Sequence, residues 1–120
     1  MEFTQQNVNQ NTIISYDDLT ITLSHLKLNR PCFISSNESK ELSALKITEI
    51  DKEFLFPLLS KESIDLLIIG TGSSSVFLSP KQQMSLSEIG LGVECMNNTS
   101  ACSSFNLVLG DLRKVGLLIL

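Results

Sequence analysis

The residues best placed to do chemistry lie in the second half of the chain. Gly70-Thr71-Gly72, followed by three serines, comes directly after an aliphatic run and ahead of a helical pattern. Backbone N–H groups in such a loop can cradle an anion. The full dinucleotide fingerprint is absent, because Ser75 stands where a third glycine is needed and Glu94 lies inside a strand pattern instead of closing one. A nucleotidase-type phosphate loop is excluded too, since no Gly-Lys-Ser or Gly-Lys-Thr occurs. The other reading of the loop is a tight strand-end turn, where glycine simply permits unusual backbone angles.

Cys102 and Asn106 are a second candidate pair. At about 100° per residue they project from the same side of a helix, a quarter turn from its apolar stripe. A thiol near a helix start can be acidified and made nucleophilic. No histidine accompanies it by motif, His25 being the only one in the chain, and free cysteine is more often a buried, inert residue. Glu94 interrupts the apolar segment Gly92 to Met96. It is either partly buried and paired, with Asn106 or Arg113 as partner, or solvated on a half-exposed strand. In the first case Glu94 and Asn106 would together clamp the Gly70 to Gly72 loop, with Thr71, Cys102 and Asn106 lining a cleft at the carboxyl edge of the sheet. Cys32, Cys95 and Cys102 lack paired spacing, so neither a metal nor a cofactor is expected.

These residues need elements to hold them. Leu19, Ile21 and Leu23 alternate with Thr20, Thr22 and Ser24, and Leu26 and Leu28 repeat the period, which predicts an N-terminal hairpin or a bulged continuation. Pro31 to Ser35 and Leu42 to Ile50 are further extended segments, separated by a polar turn at residues 36–40. Asp51 reads as a helix cap, with Pro57 breaking or kinking the helix that follows. Ile64 to Ile69 is a buried strand and Ser79-Pro80 a helix start, with Gly90 as its stop. Gly92 to Met96 is the next strand, and Asn97-Asn98-Thr99 offers caps for a helix. The stripe Ala101, Phe105, Val108, Leu109, Leu112 runs along that helix, which Gly110 ends early, and Val115 to Leu120 is a last strand. Strand, helix, strand, helix, strand implies parallel crossovers. The fold expected is α/β: a three-layer single domain over residues 12–120 with a central mixed sheet, preceded by a loose tail over residues 1–11.

Composition narrows the function classes. The chain has 120 residues, 42% hydrophobic and 18% charged, with a net charge of -4, which fits one domain with its own core. Its longest aliphatic runs, Leu66 to Ile69 and Leu117 to Leu120, fall far short of the roughly 18 residues of a membrane span. A polar N-terminus carries no secretory pattern. Cysteine usage suits a reducing, cytoplasmic setting. Nine scattered basic residues argue against nucleic acid, which rewards clustered Lys and Arg.

Four ordered pieces of the second half resemble a known pattern. These are the aliphatic strand into Gly-Thr-Gly (Leu66 to Gly72), Gly-x-Gly-Val-Glu-x-Met (Gly90 to Met96), Ala-Cys-x-x-aromatic-Asn (Ala101 to Asn106), and Arg-x-Val before an aliphatic strand (Arg113 to Ile119). The chain is similar in these pieces to the Mth-type family of unknown biochemical activity, which includes the mitochondrial complex I assembly factor three and the adipogenesis-associated Mth-domain protein. It departs from that pattern at Asn97-Asn98, where Asp-Thr is usual, and at Leu112, where glycine is usual, and it lacks tryptophan. The resemblance implies a three-layer α/β fold, no established enzyme activity, and a protein-interaction or assembly-factor role whose partner in the mitochondrial relatives is a respiratory-complex component. The alternative reading is a binder or enzyme for a small molecule or anion, using the Gly70 to Gly72 loop with Cys102 or Glu94. The oligomeric state is left open.

Overall fold

A computed structural model describes residues 9–120 of the chain. Among these residues eight strands run as β1 (Ser15–Tyr16), β2 (Thr20–Thr22), β3 (Lys27–Asn29), β4 (Cys32–Ser35), β5 (Ser39–Glu41), β6 (Leu66–Gly70), β7 (Gly92–Met96) and β8 (Val115–Ile119). The helices are α1 (Lys52–Leu59), α2 (Pro80–Ser87) and α3 (Asn98–Gly110), with a single 3-10 turn at Ile47–Glu49. Each α-helix begins where a side chain can take an orphan backbone donor. Asp51 accepts from the Phe54 amide, Ser79 from Gln82 and Asn97 from Ser100. Gln82 returns the favour to the Ser79 amide, completing a capping box.

β1 to β3 form a small antiparallel sheet, and the other five strands form the central one in the order β5-β4-β8-β6-β7. β6 is parallel to both β7 and β8, whereas β4 is antiparallel to β8 and β5, so the central sheet is mixed. Alternation along each central strand feeds two cores on opposite faces. Ile68, Leu117 and Ile119 pack with Phe105 and Leu109 of α3 and with Ile21 and Leu28 of the small sheet. Leu67, Ile69 and Leu118 pack with Leu55 of α1 and Leu86 of α2. The result is the expected three-layer α/β domain: α1 and α2, then the mixed sheet, then α3 with the small sheet.

Several expectations for single elements need correction. Leu19 was expected to share the buried face of Ile21 and Leu23, but it is 74% exposed. It lies in the turn before β2, where the Asp17 carboxylate accepts from the amides of Leu19 and Thr20. The strand after β4 is Ser39–Glu41, earlier than the Leu42 to Ile50 segment. A tight turn closed by the Ser35 amide donating to Glu38 O brings it there. Pro57 does not break α1 at once; the helix runs two residues further, to Leu59. Of the tail expected over residues 1–11, residues 1–8 lie outside the described residues. Asn11 is buried, its side-chain Nδ2 donating to the carbonyls of Ser35 and Glu38.

Candidate functional site

The carboxyl ends of β6 and β8 meet the N-terminus of α3 at one edge of the sheet, and Gly70 makes that approach possible. A Cβ on Gly70 would lie 2.6 Å from both Asn98 Oδ1 and Ile119 Cδ1, far inside contact distance. With glycine there, Asn98 reaches the loop and holds it from two sides. Asn98 Oδ1 accepts from the Gly72 amide at 2.9 Å, and the Asn98 amide donates to Gly72 O at 2.8 Å. Gly72 takes φ +98°, a conformation that side chains other than glycine rarely adopt. Thr71 fastens the rest: its hydroxyl reaches the carbonyls of Ser74 and Met96 and accepts from the Val76 amide.

A cleft of about 480 Å³ opens beside this loop. Tyr16, Asp17, Asp18, Arg30, Ser73 and Thr99 line it together with Gly72 and Asn98. Tyr16 Oη donates to Thr99 Oγ1, tying the small sheet to the start of α3. Arg30 donates through Nε and Nη2 to Leu120 O and through Nη1 to Asp18 O. The backbone N–H of Leu19, with that of Thr20, holds the Asp17 carboxyl below its usual range. The polar groups here are thus largely spent on the protein itself. With two aspartates facing one arginine and the Gly72 amide already bonded, the cleft is poorly equipped to take an anion.

The residues singled out from the sequence scatter. Gly70 closes β6 and Thr71 and Gly72 open the loop that follows, but the proposed clamp of Glu94 and Asn106 does not hold it. Glu94 is exposed on the edge strand β7, and its side chain has no hydrogen-bond partner among the described residues. Asn106 is engaged elsewhere: its Oδ1 accepts from the Ile13 amide at 2.8 Å and its Nδ2 donates to Ile13 O at 2.9 Å. It pins the N-terminal segment to α3. Cys102 faces the core, not the cleft, and burial pushes its thiol up to about 11, which removes the acidified nucleophile. Cys32 is pushed up to about 12, first by burial and then by the nearby Cys102, and burial raises the half-buried Cys95 as well. Among the described residues no group of three or more His, Cys, Asp or Glu side chains is arranged to hold a metal.

Asn98 and Arg30 are what the sequence reading missed. A signal existed for Asn98. A helix start needs one capping residue, and Asn97 serves, so a second asparagine next to it is free for another task.

An α/β domain with a mixed sheet, whose sheet-edge loop is locked by its own side chains, is a scaffold in which the cleft is a consequence of structural clamps. The chain belongs to the family described as protein of unknown function (DUF498/DUF598), whose pattern matches residues 13–120. Similar folds are found in a Bordetella parapertussis protein (22% identity, TM-score 0.80, covering 94% of this chain and 97% of that one). An outer membrane protein from Bartonella henselae is also similar (19%, TM-score 0.79, 92% and 94%). So is a Mth938-like domain from Bordetella pertussis (20%, TM-score 0.76, 94% and 87%), which agrees with the Mth-type resemblance of the sequence. At these identities the likeness is one of fold. No curated protein matches the chain.

Proposed function

We propose that this domain is a protein-interaction module of the assembly-factor kind, a role its resemblance to complex I assembly factors implies, and that it holds a basic and apolar segment of another polypeptide. The observation that carries this reading is an apolar groove of about 490 Å³ between α1 and the ends of the β6 and β7 connections. Phe56, Leu59, Ile64 and Ile89 line it, with Phe56 71% and Ile89 47% exposed. Contiguous exposed apolar surface with a polar rim is characteristic of docking sites. The rim is acidic. Lys52 is paired with Glu88 at 2.8 Å and Glu62 accepts from the Ser35 and Ser36 hydroxyls, which leaves the exposed Glu53 to face a partner, and the chain as a whole carries -4. Complementarity therefore favours a partner whose apolar side chains are flanked by Lys or Arg. Three free cysteines support a reducing, cytoplasmic setting. No helix among the described residues is long and apolar enough to cross a membrane.

Affinity capture from the native cell with variants tests the reading. Phe56→Glu should lose the polypeptide that the unmodified chain retains, whereas Ser73→Trp, which fills the sheet-edge cleft from an exposed position, should keep it. Retention by Phe56→Glu together with loss by Ser73→Trp would move the interaction to the cleft and overturn the assignment.

A further inference from the structure

The two edges of the central sheet are finished differently. At one edge β5 is three residues long, carries Lys40 and Glu41, and lies against β3 of the small sheet. Glu41 Oε2 accepts from the Asn29 amide across that junction. Shortness, charge and cover are the usual ways to blunt an edge. At the other edge β7 is five residues long, pairs only with β6, and contains neither proline nor lysine.

The register shows which groups that edge leaves open. The Gly92 amide donates to Asp65 O, and Met96 O accepts from the Thr71 amide. In a parallel ladder the direction alternates residue by residue, so Gly92, Glu94 and Met96 bond inward to β6. Val93 and Cys95 turn their N–H and C=O outward, and no partner for these groups is found among the described residues. Side chains alternate as well. Val93 and Cys95 lie on the α2 face, where Phe77, Leu78, Gln83 and Leu91 complete a pocket of about 220 Å³ against them. Phe77 is 72% exposed at its mouth. Glu94 stands on the α3 face, exposed and unpaired among the described residues.

We infer that β7 accepts an extended segment of a partner polypeptide as a sixth strand, with an apolar side chain in the Phe77 pocket and a Lys or Arg beside Glu94. This rests on the interaction reading above and specifies a second contact for it. Unpaired N–H and C=O groups in line select an extended backbone, and pockets for alternate side chains select its sequence. An added strand places neighbouring residues on opposite faces, which yields an apolar–basic–apolar order. Cross-strand pairs of opposite charge stabilise and like charges directly opposed destabilise. Pairing of β7 with its counterpart in a second copy would bring together two chains of -4; a basic segment meets no such repulsion.

A seven-residue synthetic peptide alternating valine and lysine is the probe, with a peptide of the same composition but blocked order and one with glutamate for lysine as controls. Amide exchange read by NMR should slow about tenfold or more at Val93 and Cys95 with the alternating peptide alone. Glu94→Lys, at an exposed position, should weaken that peptide about two- to fivefold and favour the glutamate version. Equal response to the alternating and blocked peptides, or no protection of these two amides at millimolar peptide, overturns the inference. So does protection that rises with protein concentration without peptide, which identifies a second copy as the occupant. Because Phe56 does not line the Phe77 pocket and neither Val93 nor Cys95 lines the α1 groove, loss of a captured partner in Phe56→Glu alongside a silent β7 would remove this contact and leave the interaction reading standing.

Discussion

Asn98 and Asn106 stand about two helical turns apart on α3, yet they hold different parts of the chain. Asn98 is buried and bonds the Gly72 backbone, while Asn106 grips the backbone of Ile13. A buried group deprived of its partner costs about 1–3 kcal/mol, whereas exposed side chains away from such networks matter within about 0.5 kcal/mol. Asn98→Ala should therefore lower unfolding free energy by about 1–3 kcal/mol, and Glu94→Ala should change it little, as denaturant titration can show. Equal effects would return Glu94 to the clamp. The thiols give a second prediction. Burial raises Cys32 to about 12 and Cys102 to about 11, above the ordinary thiol value of about 8.5 in an unfolded chain. The unfolded state then releases its protons first, so stability is fully present below about pH 8.5 and declines as pH rises toward 11 to 12. Urea midpoints measured from neutral to strongly alkaline pH should fall over that range, and Cys102→Ala should flatten the fall.

Among the elements, the end of α3 carries a local conflict. The Arg113 amide donates to Val108 O and the Leu112 amide to Leu109 O, the pair of bonds that closes a helix when the intervening residue is left-handed. Leu112 supplies that conformation at φ 61° with its side chain 78% exposed. A leucine there pays for backbone strain and recovers no burial. Leu112→Gly should raise stability by about 0.5–1 kcal/mol, relief of strain outweighing the added freedom of glycine when unfolded. Gly72→Val tests the same physics in reverse: nothing lies within 4 Å of its Cβ position, so the expected loss of about 1–3 kcal/mol comes from the backbone alone. Thermal melts that moved both variants in the same direction would defeat the argument. The caps and periods of α2, β7, α3 and β8 were legible because each is a local pattern. β5 was not, since Ser39, Lys40 and Glu41 have no apolar alternation and become a strand only by pairing with β4. The site was half legible for the same reason. The Gly70 to Gly72 turn is local, but what Asn106 bonds was decided by Ile13 arriving from 93 residues away, and the exposure of Glu94 by the edge position of β7.

At the scale of the whole molecule the question is whether two cores make one cooperative unit. β8 answers it by lying between β4 and β6 and alternating its side chains: Val115, Leu117 and Ile119 enter one core and Leu118 the other. No large part of either core can be lost without exposing the strand that serves both. The small sheet is the one layer with a case for opening alone, since it is held by Ile21 and Leu28 in the core, by the Asn106–Ile13 bonds and by Tyr16 on Thr99. Ile21 is fully buried against that core, so its departure would leave a large cavity, a loss comparable to the roughly 2–5 kcal/mol of an Ile→Ala change. The composition supplies a clean probe. With one tyrosine and no tryptophan, Tyr16 fluorescence reports the small sheet alone, while far-ultraviolet circular dichroism averages every layer. The two should give coincident urea transitions, as a single two-state unit requires. Leu118→Ala, which opens the core on the opposite face, should shift both transitions together by about 2–5 kcal/mol. A tyrosine transition that runs ahead of the dichroism, or stays in place when Leu118 is truncated, would mean that the small sheet is a separate unit resting on the α3 face of the domain.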